Sequence, residues 1–305
     1  MEKSKARVIC NPASGGGDYD PDGIRAELEG LEVEWIETEG PDDAIKAAEE
    51  WQEGLLIVAG GDGTINDVVN GLGRAGFPED VTLGILPAGT GNDFAATLCI
   101  PEDPDLAEDV MLQNRGRRLD VARVRSEGIG ERFFINVATG GLGAEISSVN
   151  DEELKKRWGK LSYLRASLEV ARDFDMRELT LYLDGERREV EAVNVAVGNC
   201  RYTGGGWPAT PKANPEDGLL DVVIIEKLGA GELLGLAPAA LAEFDYLDKD
   251  GILFARAKEV FVKTQPGLQF TADGEVIGDE PAEFSVIPGA LKVLVGPDYV
   301  PEPEG

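Results

Sequence analysis

Residues 55–66 read Leu55-Leu-Ile-Val-Ala59 followed by Gly60-Gly-Asp-Gly-Thr-Ile-Asn66, with Asp67-Val-Val-Asn-Gly-Leu72 beyond. The apolar run predicts a strand, the glycines a tight turn, and the stretch from Thr64 to Leu72 a helix. Such a junction presents backbone N–H groups at a helix N-terminus, where phosphate is favoured. Asp62 stands in the middle of it. A carboxylate repels bare phosphate, so an aspartate here points to a divalent cation between the two. That favours phosphoryl transfer over plain nucleotide binding.

Working outward, residues 6–11 predict a short strand that ends in Asn11-Pro-Ala-Ser-Gly-Gly-Gly17. Residues 22–30 predict a helix and 33–38 a second strand. Residues 42–52 predict a helix with Ala44, Ala47, Ala48 and Trp51 on one face. Downstream, 81–86 predicts another strand, followed by Pro87-Ala-Gly-Thr-Gly-Asn-Asp-Phe94. Strands alternating with helices imply βαβ units and a parallel sheet. Ligands of such sheets bind at the carboxyl ends of the strands, so the three glycine-rich loops are expected on one edge.

The pattern changes near Leu119. Period-2 strands are predicted at 119–124, 133–138, 178–183, 189–198, 219–226, 259–263, 268–272 and 282–287, interrupted by helices at 159–174 and 230–244. The expected fold class is therefore α/β. An N-terminal domain with a parallel sheet (1–120) precedes a mostly antiparallel, β-sandwich-like domain (121–290), and a strand at about 291–296 could return to the first. The end, Pro297-Asp-Tyr-Val-Pro-Glu-Pro-Glu-Gly305, is a proline-rich acidic tail without periodicity, and only about four or five residues at each terminus are expected to be loose.

Composition narrows the function. With 305 residues and 42% hydrophobic content, the chain can bury two sizeable cores. Its 29 basic and 58 acidic residues leave a net charge of −29, spread along the chain. This argues against a nucleic-acid partner, which needs a basic footprint. Such a surface suits a halophilic cytoplasm, where ~1 M salt shortens the Debye length to about 3 Å. Cys10, Cys99 and Cys200 lack metal or redox spacing and read as reduced, buried thiols. No apolar leader follows Met1, and 233–242 is too short to span a bilayer, so a cytoplasmic location is expected. The absence of histidine removes His-based triads and an imidazole base, leaving Asp or Glu as the prime general bases.

Each loop allows a plainer reading. The loop at 11–17 could place Ser14 and backbone amides near phosphate, or be an ordinary strand-to-helix turn. Asp93 could cap a helix or organise a metal. Neither the P-loop signature nor a convincing Gly-x-Gly-x-x-Gly is present.

Taken together, Gly60-Gly-Asp-Gly-Thr-Ile-Asn66 and Leu86-Pro-Ala-Gly-Thr-Gly-Asn-Asp-Phe94 resemble the diacylglycerol kinase catalytic-domain family. The match is to its soluble bacterial and archaeal lipid kinases, which in turn resemble sphingosine and ceramide kinases. Asn11-Pro-Ala-Ser-Gly15, Phe134-Ile-Asn-Val-Ala138, Gly141-Leu-Gly143 and Gly198-Asn-Cys-Arg-Tyr-Thr-Gly-Gly-Gly206 extend it. So do Pro211-Lys-Ala213, Asp217-Gly-Leu-Leu-Asp221 and Asp273-Gly-Glu275. The resemblance implies an ATP- and Mg2+-dependent kinase that phosphorylates a hydroxyl of a diacylglycerol-like lipid. ATP would be lined by Asn11, Pro12, Ala13, Ser14, Gly15, Thr38, Gly60, Gly61, Asp62, Gly63, Thr64, Ile65, Asn66 and Thr90. Glu275, with Asp273 beside it, would deprotonate the lipid hydroxyl. Asp62, Asp93 and Asp120 would organise magnesium and water near the phosphates. A structural magnesium would lie between Asp217 and the carbonyls of Asn214 and Leu219.

Local chemistry keeps alternatives open. Asp273-Gly274 also fits a type I′ hairpin turn, and 214–219 fits a plain Asn-Pro/Asp-Gly turn. Tyr202, Trp207, Phe244, Tyr246 and the 233–242 helix are candidates for a lipid cleft, or for core. A lipid kinase implies transient contact with a membrane surface, and exposed strand edges would permit a homodimer. Two other functions compete. One is an NAD kinase, which shares the Gly-Gly-Asp-Gly-Thr loop; the other is a non-catalytic nucleotide- or lipid-binding regulator.

Overall fold

The computed structural model describes residues 5–13, 32–40, 42–113, 115–141, 176–226, 246–279 and 281–302. The helices expected at 22–30, 159–174 and 230–244 lie outside these residues, as do Ser14, Gly15, Phe244 and the end of the 141–143 motif.

In the N-terminal unit, β1 (Lys5–Cys10) pairs in parallel with β2 (Glu32–Glu37) and β3 (Gly54–Gly60), and β3 pairs in parallel with β4 (Val81–Pro87). The interior of β1 and β3 is buried and apolar apart from Arg7, which pairs with Glu34 at 2.7 Å. The register ends on Gly60 opposite Pro87, which brings the loops after β3 and β4 side by side. Helices α1 (Asp43–Glu49) and α2 (Asp62–Arg74) cover this sheet. Ile65, Val68, Val69 and Leu72 recur at helical spacing along α2 and are all buried. Gly71 lets α1 cross closely, because a Cβ there would meet the Ile45 carbonyl at 2.2 Å. Two further helices, α3 (Asp93–Thr97) and α4 (Pro104–Gln113), complete the unit.

The C-terminal part is a sandwich of two sheets. One contains β5 (Gly116–Ser126), β6 (Gly130–Phe134), β8 (Arg177–Leu183), β9 (Glu186–Ala192), β13 (Glu259–Gln265) and β16 (Ala282–Leu294). The other is antiparallel throughout and contains β7 (Val137–Gly141), β10 (Asn194–Gly198), β11 (Leu220–Ile225), β12 (Ile252–Ala257), β14 (Phe270–Ala272) and β15 (Glu275–Gly278). Its order is β12-β11-β10-β7-β14-β15. Leu179, Leu181, Val260, Val262 and Phe284 meet Val195, Val197, Val222 and Phe270 in a common core. The expected α/β fold class, a parallel α/β unit followed by an antiparallel sandwich-like one, is the observed one.

The expected boundary at 120/121 falls inside β5. Its first residues pair with Leu291–Leu294 of β16, and those from Val121 to Ser126 pair with Ile287 to Ala282. The far end of β16 pairs in parallel with β4 at Lys292 and Val293. The stretches expected as separate strands at 282–287 and 291–296 are thus one strand with a register irregularity between Ile287 and Leu291. The two units share one continuous sheet.

Two predicted strands each divide in the structure. The 133–138 run becomes β6 and β7, and the 189–198 run becomes β9 and β10, which enter different sheets. A chain passing from one layer of a sandwich to the other must break its ladder, and an apolar run carries no mark of that crossing.

The C-terminal segment is anchored as far as Pro301. Arg115 donates to the Pro297 carbonyl at 2.7 Å, and Arg201 to those of Val300 and Pro301 at 3.0 and 2.9 Å. Tyr299 is buried, with its hydroxyl 3.0 Å from Glu216. Burial and the Glu216 charge push the Tyr299 phenol up from its ordinary pKa, so the hydroxyl stays a donor at neutral pH. Tyr299→Ala should cost about 3 kcal/mol of unfolding free energy through lost ring burial. Tyr299→Phe should cost about 1 kcal/mol through the lost hydrogen bond, with both read from urea unfolding.

Candidate active site

The carboxyl ends of β1, β2 and β3 gather the first set of expected residues. The Asn11 N–H donates to the Ala59 carbonyl, and its Nδ2 to Thr64 Oγ1 at 3.2 Å. Its Oδ1 accepts the Ala13 N–H at 3.0 Å. Thr38 is held at the same edge by its N–H to the Cys10 carbonyl. Pro12, Ala13 and Gly63 are exposed, whereas Ile65 is fully buried and offers only backbone.

The loops after β3 and β4 touch through bare backbone. A Cβ on Gly61 would lie 2.9 Å from Gly89 Cα, and one on Gly89 would lie 2.6 Å from Gly61 Cα, so both positions require glycine. Asn92, at φ 52°, closes the second loop by bonding both the N–H and the carbonyl of Gly89 at 2.9 Å. Thr90 is left exposed at the tip.

The expected metal-site carboxylates hold backbone. Asp62 accepts the N–H groups of Asp93 and Phe94 at 3.1 and 3.2 Å, capping α3. Asp93 accepts those of Gly205 and Gly206, the latter at 2.6 Å. Asp120 is buried and accepts Gly218 and Gly289 N–H, each at 2.7 Å. Burial raises its pKa, and those two bonds oppose the rise. Asp62 and Asp93 are thus brought together, while Asp120 serves a separate turn. Among the described residues, no cluster of three His, Cys, Asp or Glu could hold a metal. A hydrated Mg2+ needs only one or two carboxylates and keeps several waters. Asp62 and Asp93, on the adjoining loops after β3 and β4, fit that mode and not a dry cage.

Asn214, Asp217 and Leu219 share one turn. The Asp217 N–H approaches the Asn214 carbonyl at 3.4 Å, and Asp217 Oδ1 accepts the Leu219 N–H at 2.9 Å. Burial raises the Asp217 pKa. Tyr246 is core, donating to the Pro208 and Ala209 carbonyls with Trp207 packed against its cluster. Tyr202 is half-buried.

The hairpin β14–β15 supplies the remaining residues. Ala272 pairs with Glu275, and the two residues between have φ of 46° and 87°, the geometry of a type I′ turn. The turn folds the Asp273 carboxylate inward. It accepts N–H bonds from Ile135 at 2.8 Å, Asn136 at 2.9 Å and Val137 at 3.2 Å, and from Asn66 Nδ2 at 2.9 Å. These three amides lie where the predicted 133–138 strand breaks. Burial lifts the Asp273 pKa to about 6 against the pull of its donors, and the charge of Asp62 adds to the rise. Glu275 differs: it is exposed and accepts no hydrogen bond among the described residues. Burial, and then the charge of Glu275, raise the pKa of neighbouring Asp67 on α2.

This geometry has close counterparts. Residues 5–124 match the diacylglycerol kinase catalytic domain, and residues 136–295 match the YegS C-terminal NAD kinase beta sandwich-like domain. A diacylglycerol kinase of Staphylococcus aureus is 31% identical over 307 residues, spanning 98% of this chain and 95% of the relative. The chain belongs to the diacylglycerol kinase family. A solved structure described as a putative diacylglycerol kinase from Bacillus anthracis matches this lipid-kinase fold with a TM-score of 0.79. It is 28% identical and covered to 98% on both sides. A second from the same organism gives 0.79 at 27% identity. As a member, the chain carries a lipid kinase's catalytic domain and is an enzyme of the kinase class.

Sequence reasoning overlooked Asn70, Asn92, Asn199 and Arg201, all of which bond backbone around the site. Asn70 carried a signal, since it stands four residues after Asn66 on one helix face. Asn199, which bonds the Asp120 and Ile135 carbonyls, carried none beyond its place in the 198–206 motif.

Asp273→Asn would turn an NH2 group toward existing donors, so stability should fall by about 2 kcal/mol in urea unfolding. In the wild type, protonation of Asp273 below pH 6 removes the charge that its donors face. The pH–kcat profile should therefore fall on its acid side near pH 6.

Proposed function

We propose that this diacylglycerol-kinase-family enzyme transfers the γ-phosphoryl group of ATP to the hydroxyl of a diacylglycerol-like lipid, with Glu275 as general base. The observation that carries this reading is the contrast within one turn. The Asp273 oxygens are occupied by four N–H donors, whereas the Glu275 carboxylate is exposed and takes no hydrogen bond among the described residues. Asp273 then positions, and Glu275 accepts the proton.

The backbone N–H groups and polar side chains of 11–13 and 60–64, with Thr38 and Thr90, would line the nucleotide. The lipid oxygen forms a bond to the γ-phosphorus, the bond to the β–γ bridging oxygen breaks, ADP leaves, and the hydroxyl proton passes to Glu275. Asp62 and Asp93 would hold a hydrated Mg2+, with Asp120 supporting the neighbouring turn; when bound, this ion offsets phosphate charge. The turn of Asn214, Asp217 and Leu219 would hold a second, structural Mg2+. Asp62 accepts one N–H on each carboxylate oxygen, which leaves lone pairs for water-mediated contact.

A diacylglycerol-like acceptor implies work at a membrane surface. Among the described residues, no helix is long and apolar enough to cross a membrane, so the enzyme would meet its acceptor peripherally. A net charge of −29 opposes approach to anionic lipid at low salt. Saline surroundings would screen that repulsion, which is why we read the acidic surface as an adaptation to salt.

The test offers labelled ATP and Mg2+ with a panel of lipid alcohols, sphingosine and NAD, at low salt and in multimolar KCl. Label is expected in a lipid alcohol, more at high salt. Label in NADP alone would overturn the lipid reading, and ATP binding without transfer to any acceptor would favour a regulator. Glu275→Gln should lower kcat by about 10²- to 10⁴-fold while ATP binding persists.

A further inference from the structure

Asn66 belongs to the glycine-loop motif, yet its side chain faces away from the loop. Its Nδ2 donates to Asp273 Oδ2 at 2.9 Å and to the Phe133 carbonyl at 3.2 Å. Both partners only accept, which fixes the orientation of the amide. Its Oδ1 accepts from Asn70 Nδ2 at 3.0 Å. Asn70 in turn clasps Phe133, donating to its carbonyl at 2.9 Å and accepting its N–H at 3.0 Å. Asn66 is buried, so its polar atoms depend on these partners. Among the described residues, Asn66 is the only side chain through which α2 hydrogen-bonds the hairpin turn of β14 and β15.

We infer that Asn66 and Asn70 are positioning residues. They form a two-asparagine bridge that sets the reach of Glu275 from the phosphate-binding loop. The inference rests on Glu275 being the base. Asp62 and Thr64 lie on the first turn of α2, and Asn66 follows on the same rigid helix. Its amide holds the Asp273 carboxylate, and Asp273 begins the type I′ turn that ends at Glu275. The nucleotide loop and the base are therefore joined by one short polar path. Without the bridge, three backbone amides still hold Asp273 to the sandwich, but nothing polar on α2 ties it to the nucleotide half.

The experiment compares Asn66→Ala, Asn66→Asp, Asn70→Ala, Asp273→Ala and the double variant Asn66→Ala/Asp273→Ala in the full chain. It measures kcat, KM for ATP, and amide exchange at 135–137 and 273–275. Since ~1 Å of misplacement can cost about 10²-fold, Asn66→Ala should lower kcat by about 30- to 100-fold with KM for ATP within about twofold. Asn66→Asp is isosteric but sets a carboxylate against Asp273, so its loss should equal or exceed that of Asn66→Ala. Asn70→Ala should lose about 5- to 10-fold, because Asn66 keeps its two acceptors but loses its orienting donor. In the double variant the loss should not exceed that of Asp273→Ala alone. A near wild-type kcat in Asn66→Asp, a raised KM for ATP with unchanged kcat in Asn66→Ala, or additive losses in the double variant would each overturn the bridge. If the wild type phosphorylates no lipid alcohol, the assignment of the base fails instead, and amide exchange decides the bridge. Faster exchange at 273–275 in Asn66→Ala and Asn70→Ala upholds it, and unchanged exchange sinks it.

Discussion

The carboxylate of Asp273 is where the halves of this protein meet. It accepts three consecutive backbone N–H groups from 135–137 and one side-chain amide from helix α2. An ionised carboxylate makes stronger hydrogen bonds than a neutral acceptor, and its two oxygens have room for four donors. Those donors would otherwise be buried without partners, because the strand ladder stops between β6 and β7. The turn that aims the carboxylate inward also presents Glu275 to solvent. On the proposed reading, structure and chemistry are set by the same two residues.

The same device recurs. Asp62 caps α3 beyond the next loop, Asp93 holds the glycines of 205–206, and Asp120 holds Gly218 and Gly289. Each acid secures a segment distant in sequence by taking its backbone N–H groups. Glycine is needed where these segments close on one another, as at Gly61 and Gly89. The result is a set of loops closed on one another by carboxylates that accept backbone N–H groups.

Much of this was legible. The strand–glycine–helix junction at 55–72 declared the parallel unit, because apolar runs and glycine turns act locally. The loops after β1, β3 and β4 were placed on one edge by topology alone. The reading of Asp273-Gly274 as a type I′ turn holds, and that turn folds the Asp273 carboxylate inward. Other features were hidden. Residues 133–138 look like a single strand because both halves are largely apolar, and 189–198 because the alternating 189–192 run straight into the mostly apolar 193–198, yet both stretches cross between layers. The anchors of the acidic end at 297–301, Arg115, Arg201 and Glu216, were also hidden because they lie far away in sequence.

By itself, the sequence determined the family, the fold class, and the absence of imidazole chemistry. These follow from local patterns, from residue types, and from motifs that stand intact along the chain. Only the tertiary structure decided which acid is held and which is free, that Asp120 serves a different turn from Asp62 and Asp93, and that Asn66 faces the hairpin rather than the loop. Those assignments depend on which backbone N–H groups lie within about 3 Å of each carboxylate. That distance is set by the packing of segments 31 to 207 residues apart, which no local pattern encodes.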